Sequence, residues 1–180
     1  MVLLEHEGPL GFTTRTVARQ AGTSAPAVYE LFGDKSGLVR EVFFEGFRQL
    51  GHQLTALTTT EDALADLEQT ARTYRAFLVR NRALAEVMFS RPFTDFSPGP
   101  DEALASGAVR ELIVSRVDRC IGSGVLRGDA TDIAHVFVAL VQGMASAESA
   151  QRLGTSKRSI DRRWDLAMAA FFGGLGVATP

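Results

Sequence analysis

The sequence predicts an all-α protein with a three-helix head and an antiparallel helical-bundle body. Apolar residues recur at three- and four-residue intervals over long segments, which is the spacing of one buried helix face. Helix breakers and turn formers, mostly glycine and proline, separate these segments at helix-length intervals. The sequence has no convincing run of β-branched residues with period-two alternation. These three observations favour helices joined by short turns.

Length and composition narrow the class of protein. The 180 residues are 46% hydrophobic and 22% charged, an ordinary globular composition that excludes global disorder. This length suits one domain, or a small domain fused to a larger one. The single cysteine, Cys120, cannot form an intrachain disulfide. A net charge of −2 gives no overall attraction to nucleic acid, although residues 13–40 carry four bases and only two acids.

Targeting and membrane segments are not expected. The sequence contains no run of about 18 apolar residues, so we expect no transmembrane helix and no membrane partner. The first eight residues lack the basic start and the long apolar stretch of a signal peptide. The expected location is therefore the cytoplasm.

Capping and turn residues predict two short helices in the head. Thr13 or Thr14 caps the first, which runs to about residue 21, where Gly22 ends it. Thr23 or Ser24 caps the second, which carries a proline in its first turn and runs to about residue 32. Residues 1–7 have the pattern of an earlier helix, which completes the three-helix head.

Longer helices follow in the rest of the chain. Asp34 caps a helix over about residues 35–56, which joins the head to the body. Apolar spacing predicts five further helices, over about 61–80, 82–90, 101–122, 130–151 and 158–175. Long amphipathic helices joined by short turns predict a bundle.

Two short helices crossing at a glycine turn form a helix-turn-helix, the second helix of which enters the major groove of DNA. The residues at the start of that second helix are all small, which permits close approach to base edges: Thr23, Ser24, Ala25, Pro26 and Ala27. Spacing alone leaves a second interpretation open, because many proteins contain the same helical hairpin for packing only.

The motif TTRxVAxxAGTSxxAVYxxFGxKxGL over residues 13–38 resembles the DNA-binding domain of the tetracycline-repressor (TetR) family of bacterial transcriptional regulators. The resemblance covers about residues 1–50. It implies an all-helical homodimer in which residues 1–50 bind DNA and residues 51–180 bind a ligand and dimerise. It also implies that a small-molecule effector weakens binding to the operator.

The resemblance implies roles for individual head residues. Thr14 and Arg15 match positions that contact phosphates or nearby bases, and residues 23–27 match the positions that read base edges. Tyr29 matches a tyrosine whose hydroxyl meets a phosphate, and Lys35 matches a lysine that meets the DNA backbone.

The sequence departs from the family pattern in two places. Glu30 and Leu31 replace residues that are often aromatic, basic or histidine in the family, and Glu30 would bring a like charge close to phosphate. The first helix is also shorter than the family's, as if truncated.

The body contains candidate residues for an effector cavity. The apolar candidates are Phe77, Met88, Phe89, Phe93 and Phe96, and the polar or polarisable candidates are Tyr74, Arg116, Cys120 and Gln142. Core packing is the favoured interpretation of any single apolar residue in this set. The alternative is that some of them line a cavity, which would make the effector mainly apolar with one polar group. Arg116 is unusual because it lies on an otherwise apolar helix face.

The two C-terminal helices are the predicted dimer surface. Gly143, Ala145, Ser146 and Ala147 permit close helix approach, and Trp164, Phe171 and Phe172 supply apolar area. We expect part of this set to close the core of one subunit and part to face the partner.

Metal, cofactor and catalytic sites are not expected. The three histidines are far apart, and no His, Cys and Asp cluster has the spacing of metal ligands. No phosphate-binding glycine loop or nucleophile motif occurs. The TetR resemblance implies a ligand-responsive DNA-binding regulator, in the simplest case a repressor on a near-palindromic operator. The alternatives are a small-molecule-binding protein whose head has lost useful DNA affinity, and an α-helical enzyme.

Overall fold

The computed structural model describes Leu3, residues 11–90 and residues 96–176. Over these residues the protein is all-α, as predicted. Its eight described helices are α1 (Thr14–Gln20), α2 (Ala25–Phe32), α3 (Lys35–Thr55), α4 (Ala63–Arg80), α5 (Arg82–Phe89), α6 (Pro100–Gly122), α7 (Ala130–Ser149) and α8 (Lys157–Leu175). The predicted helix over residues 1–7, apart from Leu3, and the predicted ligand residue Phe93 lie outside the described residues.

The chain forms two compact units. Unit 1 comprises Met1–Leu50 and Asn81–Gly107, and unit 2 comprises Gly51–Arg80 and Ala108–Pro180. Helices α3 and α6 each contribute residues to both units.

Unit 1 contains a close approach between α3 and α5. A Cβ atom built on Gly46 of α3 would lie 2.5 Å from Met88 Sδ and 2.9 Å from Leu84 Cδ1, both on α5. Glycine at this position therefore lets the two helices pack closely. Aromatic side chains around Phe43 and Phe47 fill the adjoining core.

Unit 2 is built on the packing of α4 against α7. Four residues at helical spacing on α4 are almost fully buried: Leu67, Ala71, Tyr74 and Phe77. They form one apolar stripe along α4, and Phe137 and Val141 of α7 are equally buried. The end of α8 is tied to the loop after α6 by a hydrogen bond of 3.0 Å from Arg127 N–H to Leu175 O.

One described helix, α7, is long and apolar enough to cross a membrane by length and composition alone. Core helices of water-soluble proteins pass the same test, so the observation is weak. The helix itself was predicted over residues 130–151. The search for an unbroken apolar run did not identify it as a possible membrane span, because polar residues are spaced along it.

Candidate nucleic-acid interface and ligand-binding residues

The first helix of the head, α1, begins at a reciprocal cap. The Thr13 hydroxyl accepts a hydrogen bond from Thr16 N–H at 3.2 Å, and Thr16 Oγ1 accepts one from Thr13 N–H at 3.0 Å. The Thr16 hydroxyl also donates to Gly11 O at 2.7 Å. This network fixes the start of α1 and leaves Arg15 exposed in its first turn. Thr14 is only 8% exposed, so little of this predicted contact residue reaches solvent.

A glycine turn connects α1 to α2. Gly22 adopts a φ of 65°, in the left-handed region that favours glycine. Ser24 then caps α2 by accepting a hydrogen bond from Ala27 N–H at 3.3 Å. Pro26 lies in the first turn, where the missing N–H has no helical partner to lose. Val28, which is only 2% exposed, anchors α2 in the core of the head.

The predicted DNA-contacting residues of α2 gather at one solvent-facing end. Thr23, Ser24 and Pro26 are exposed, and Ala25 and Ala27 are half-buried. Tyr29 follows one turn later and is 51% exposed. Small side chains and hydroxyl groups are thus accessible together, which suits contacts to phosphates and base edges.

The start of α3 completes this surface. Gly33 has a φ of 74°, and its N–H donates to Tyr29 O at 2.8 Å. Asp34 Oδ1 accepts a hydrogen bond from Gly37 N–H at 2.8 Å, which is the predicted cap. Lys35 is therefore the first residue of α3, three residues after α2 ends. Its side chain is half-buried.

The two residues that depart from the family pattern lie on the same surface. Glu30 is exposed, and Leu31 has 75% of its surface exposed. Their exposure leaves most of both side chains accessible to a nucleic acid.

Three predicted ligand residues belong to the aromatic core of unit 1. The Phe96 ring lies 5.8 Å from that of Phe43, and the Phe89 ring lies 5.5 Å from that of Phe47. Phe96 and Met88 are each 5% exposed. These are the contacts of core side chains, and a ligand role for them stays a prediction.

Tyr74 and Gln142, two of the predicted polar candidates, meet inside unit 2. Gln142 Nε2 donates to Tyr74 Oη at 2.9 Å. Burial raises the pKa of Tyr74 to about 12, so its hydroxyl stays protonated at neutral pH. Phe77, on the same helix, is 1% exposed.

Arg116 and Cys120 of α6 both reach backbone carbonyls near the start of unit 2. Arg116 Nη2 donates to Leu57 O at 3.2 Å and to Leu54 O at 3.5 Å. Cys120 Sγ donates to Ala63 O at 3.2 Å, and burial raises the pKa of its thiol. A buried thiol with a raised pKa is unreactive, which fits a core role.

Sequence reasoning missed a buried carboxylate in the same part of unit 2. Asp66 accepts hydrogen bonds from Arg119 Nη1 at 2.8 Å and from Thr60 N–H and Thr60 Oγ1, both at 2.9 Å. The hydrogen bond from Arg119, with those from Thr60, lowers the pKa of Asp66 to about 2. Its position beside Leu67, on the buried side of α4, was the available signal.

A second ion-pair cluster links α4, α7 and α8. Arg75 donates to Glu148 at 2.8 Å and to Asp161 at 2.9 Å, and its guanidinium carbon lies 4.6 Å from the Trp164 ring centroid. Trp164 Nε1 donates to Glu148 Oε2 at 2.7 Å. The cluster borders a cleft of about 470 Å³, also lined by Lys157. Arg75 and Lys157 both form ion pairs with Asp161, so their charges are already neutralised and the cleft is not a site for an anionic ligand.

The predicted dimer surface divides between the core and solvent. Ala145, Trp164 and Phe172 are buried within unit 2. A stripe at helical spacing on α7 is exposed: Val136, Ala139, Gly143 and Ser146. On α8, Leu166 is 70% exposed and lies near exposed alanine and glycine residues at positions 169, 170 and 173. Exposed apolar and small residues on two long helices suit helix-to-helix association.

Groups of three or more His, Cys, Asp or Glu residues that could hold a metal ion do not occur within the described parts of the chain.

Comparisons with known proteins decide the family. A family model described as Tetracyclin repressor-like, C-terminal domain, matches residues 67–171, more than half of the chain. A second, described as Bacterial regulatory proteins, tetR family, matches residues 1–42. The chain belongs to the TetR family. The resemblance inferred from residues 13–38 is thereby confirmed, and the match over residues 67–171 extends it to the body.

Several solved structures have the same fold as this TetR-family chain. A Rhodococcus sp. RHA1 protein of unknown function is 27% identical, with a TM-score of 0.83 over 98% of this chain and 91% of that one. A tetR-family regulatory protein from Rhodococcus RHA1 is 20% identical, with a TM-score of 0.72 over 98% and 93%. The ketosteroid transcriptional regulator KstR2 of Mycobacterium tuberculosis is 15% identical, with a TM-score of 0.69 over 98% and 91%. A comparison with curated protein sequences finds no significant match.

Proposed function

We propose that this TetR-family protein is a ligand-responsive transcriptional repressor that acts in the cytoplasm as a homodimer on a near-palindromic operator. The observation that carries the proposal is the solvent-facing start of α2, where small and hydroxyl-bearing side chains are accessible together. Residues 1–50 serve as the DNA-binding domain, and residues 51–180 bind the ligand and dimerise.

In this proposal the head residues divide into two groups. Thr14, Arg15, Tyr29 and Lys35 contact phosphates, and residues 23–27 read base edges. Phosphate contacts fix the register of the protein on the duplex, whereas base-edge contacts choose the sequence. Contact across a palindrome needs two heads that reach successive major grooves, which is why the functional species is a dimer.

Dimerisation is proposed to use the exposed stripes of α7 and α8. Val136, which is 57% exposed, and Leu166, which is 70% exposed, each lie among exposed small residues on their helix, and an apolar patch of this kind is typical of an association surface. An interface between copies would cover both side chains. It would also explain why α7 has the apolar composition of a membrane span.

The effector is proposed to be a mainly apolar small molecule with one polar group. The polar candidates Tyr74, Arg116, Cys120 and Gln142, with Phe77, lie in unit 2. Met88, Phe89, Phe93 and Phe96 are the further apolar candidates. Ligand binding lowers operator affinity only as far as the ligand prefers one conformation over the other.

Fluorescence anisotropy with DNA from upstream of the protein's own gene tests the proposal. We expect tight binding to one palindromic segment and weaker binding to random DNA of equal length, with both affinities falling as salt rises. Equal affinity for the two DNAs would contradict the regulator proposal.

A second candidate function rests on Glu30. This exposed carboxylate follows Tyr29 directly, so it opposes phosphate binding at the same surface. A ligand-binding protein with a DNA-incompetent head would carry such a residue. Glu30→Gln separates the two, because it restores DNA binding only where the carboxylate had abolished it.

A further inference from the structure

A buried positive charge without a counter-ion lies in unit 2. Arg116 is 8% exposed, and its Nη2 atom reaches only the carbonyl oxygens of Leu54 and Leu57. Its Nη1 atom is buried and has no hydrogen-bond partner among the described residues. Guanidinium groups stay charged in proteins, and a buried charge is costly unless an anion pairs with it.

Arg119, one turn further along α6, shows what Arg116 lacks. Arg119 binds the buried carboxylate of Asp66 at 2.8 Å and the Thr60 carbonyl oxygen at 2.6 Å. Asp66 is fully occupied by this pair and by Thr60. The acidic residues nearest to Arg116 along α6, Glu111 and Asp118, are exposed. The described chain thus supplies a carboxylate for one arginine of this pair and none for the other.

We propose that Arg116 binds the carboxylate of the effector, so that the effector is an amphipathic organic acid. This inference rests on the proposed function, because it names the chemical class of the ligand. The neighbours of Arg116 on α6 favour an apolar acid: Ile113, Val117 and Cys120 are all 0% exposed. A carboxylate matches the planar fork of a guanidinium and carries a single charge, which is cheaper to bury than a phosphate dianion.

The same contacts give the ligand a route to the head. Leu54 lies in the last turn of α3, and its carbonyl oxygen accepts hydrogen bonds from Leu57 N–H at 3.3 Å and from Arg116 Nη2 at 3.5 Å. A carboxylate that binds both Nη atoms competes for this donor. The end of α3 therefore changes its bonding when the acid binds, and α3 begins at Lys35, a proposed phosphate contact.

Isothermal titration of the full chain with three acids and their uncharged amides tests the site. The probes are octanoate, decanoate and 4-phenylbutyrate, each paired with its primary amide at pH 7.5. We expect at least one acid to bind the parent protein about tenfold or more tightly than its amide, since hydrogen bonds between charged groups are the stronger ones. Absence of acid binding, or equal affinity for acid and amide, would overturn the proposal.

Variants of Arg116 separate a ligand contact from a structural role. Arg116→Met should abolish the preference for acid over amide and leave amide affinity within about twofold, whereas Arg116→Lys should keep part of the preference. Arg110→Met, which removes an exposed arginine from the same helix, is the control and should keep all of it. Equal weakening of acid and amide by Arg116→Met would assign Arg116 to the end of α3 alone. If that variant does not fold, the Arg116→Lys and parent titrations still decide.

Measuring operator affinity in the same samples tests the ligand site and the regulator proposal separately. An acid preference that depends on Arg116, in a protein that binds no operator, supports the site and contradicts the regulator. Operator release by an amide as readily as by its acid supports the regulator and contradicts the site.

Discussion

The helix-turn-helix segment, residues 13–38, and unit 2 differ in the exposure of their polar side chains. In the segment, Arg15 and Tyr29 are exposed, and only Thr14 is a buried polar residue. In unit 2, Asp66, Thr70 and Arg116 are all buried. A DNA-binding surface needs polar groups that the duplex can reach. A ligand-binding interior can instead bury a charged group whose ion-pair partner is supplied by the ligand. The predictions below test this difference, from the largest expected effect to the smallest.

The largest effect should come from breaking the proposed dimer. Leu166→Arg places a charge on the exposed apolar face of α8, so we expect a monomer at micromolar concentration. Operator affinity should fall by about a hundredfold or more, because two linked heads bind far more tightly than one. Sedimentation velocity and anisotropy measure the two effects. Leu104→Arg, at a leucine of α6 that is 73% exposed, is the control and should remain a dimer. A dimeric Leu166→Arg protein would contradict the assignment.

The next largest effect should come from the buried carboxylate of unit 2. Asp66→Asn removes the charge that binds Arg119 and leaves that arginine without an anion, so the melting temperature should fall by several degrees. The folded pKa of about 2 lies below the ordinary value of 3.8. The charged pair therefore stabilises the protein above about pH 4 and stops doing so as the pH falls through 2.

Urea unfolding at several pH values measures this pair. The stability difference between parent and Asp66→Asn should be full at pH 7 and should shrink as the pH approaches 2. Asp118→Asn, at an exposed position of α6, should match the parent throughout. A difference independent of pH would show that the carboxylate charge contributes nothing.

The helices could be predicted from local sequence signals, whereas pairs of side chains that are distant in sequence could not. The caps at Thr13, Ser24 and Asp34 and the turn at Gly22 are each decided within about four residues, so helix ends were predicted to within about two residues. The partner of Asp66 is 53 residues away, on a different helix. Helical periodicity reports that a position is buried, but it carries no information about what lies opposite.

The candidate sites follow the same division. The exposed start of α2 could be identified from one short motif, because its residues are neighbours in sequence. Arg116 could be singled out as a charge on an apolar face, but its carbonyl partners are about sixty residues away. Core packing was the favoured prediction for Phe89 and Phe96 and a cavity the alternative, and helical spacing could not identify their ring partners on α3.

A smaller effect is expected from single phosphate contacts in the head. Lys35→Ala should weaken specific and random DNA alike, by about tenfold, and should lower the dependence on salt by about one counterion. Tyr29→Phe should act in the same direction through the lost hydroxyl. Changes at Ala25 or Ala27 should instead alter sequence preference, because small residues there allow the base edges to be reached. Parent-like affinity of Lys35→Ala at physiological salt would argue against this docking mode.

The smallest effect should distinguish two glycines, one in each region. Gly22 has a φ of 65° and no atom within 4 Å of an added Cβ, so Gly22→Ala should be destabilising by about 1 kcal/mol through backbone strain alone. Gly122 also has open space around an added Cβ, but it ends α6 without a left-handed backbone. Gly122→Ala should therefore be neutral or stabilising, by up to about 1 kcal/mol. Urea unfolding of both variants measures the contrast. Equal stability of the two would mean that the turn between α1 and α2 does not depend on its left-handed residue, and the head would then need another account of how α2 is held against α1.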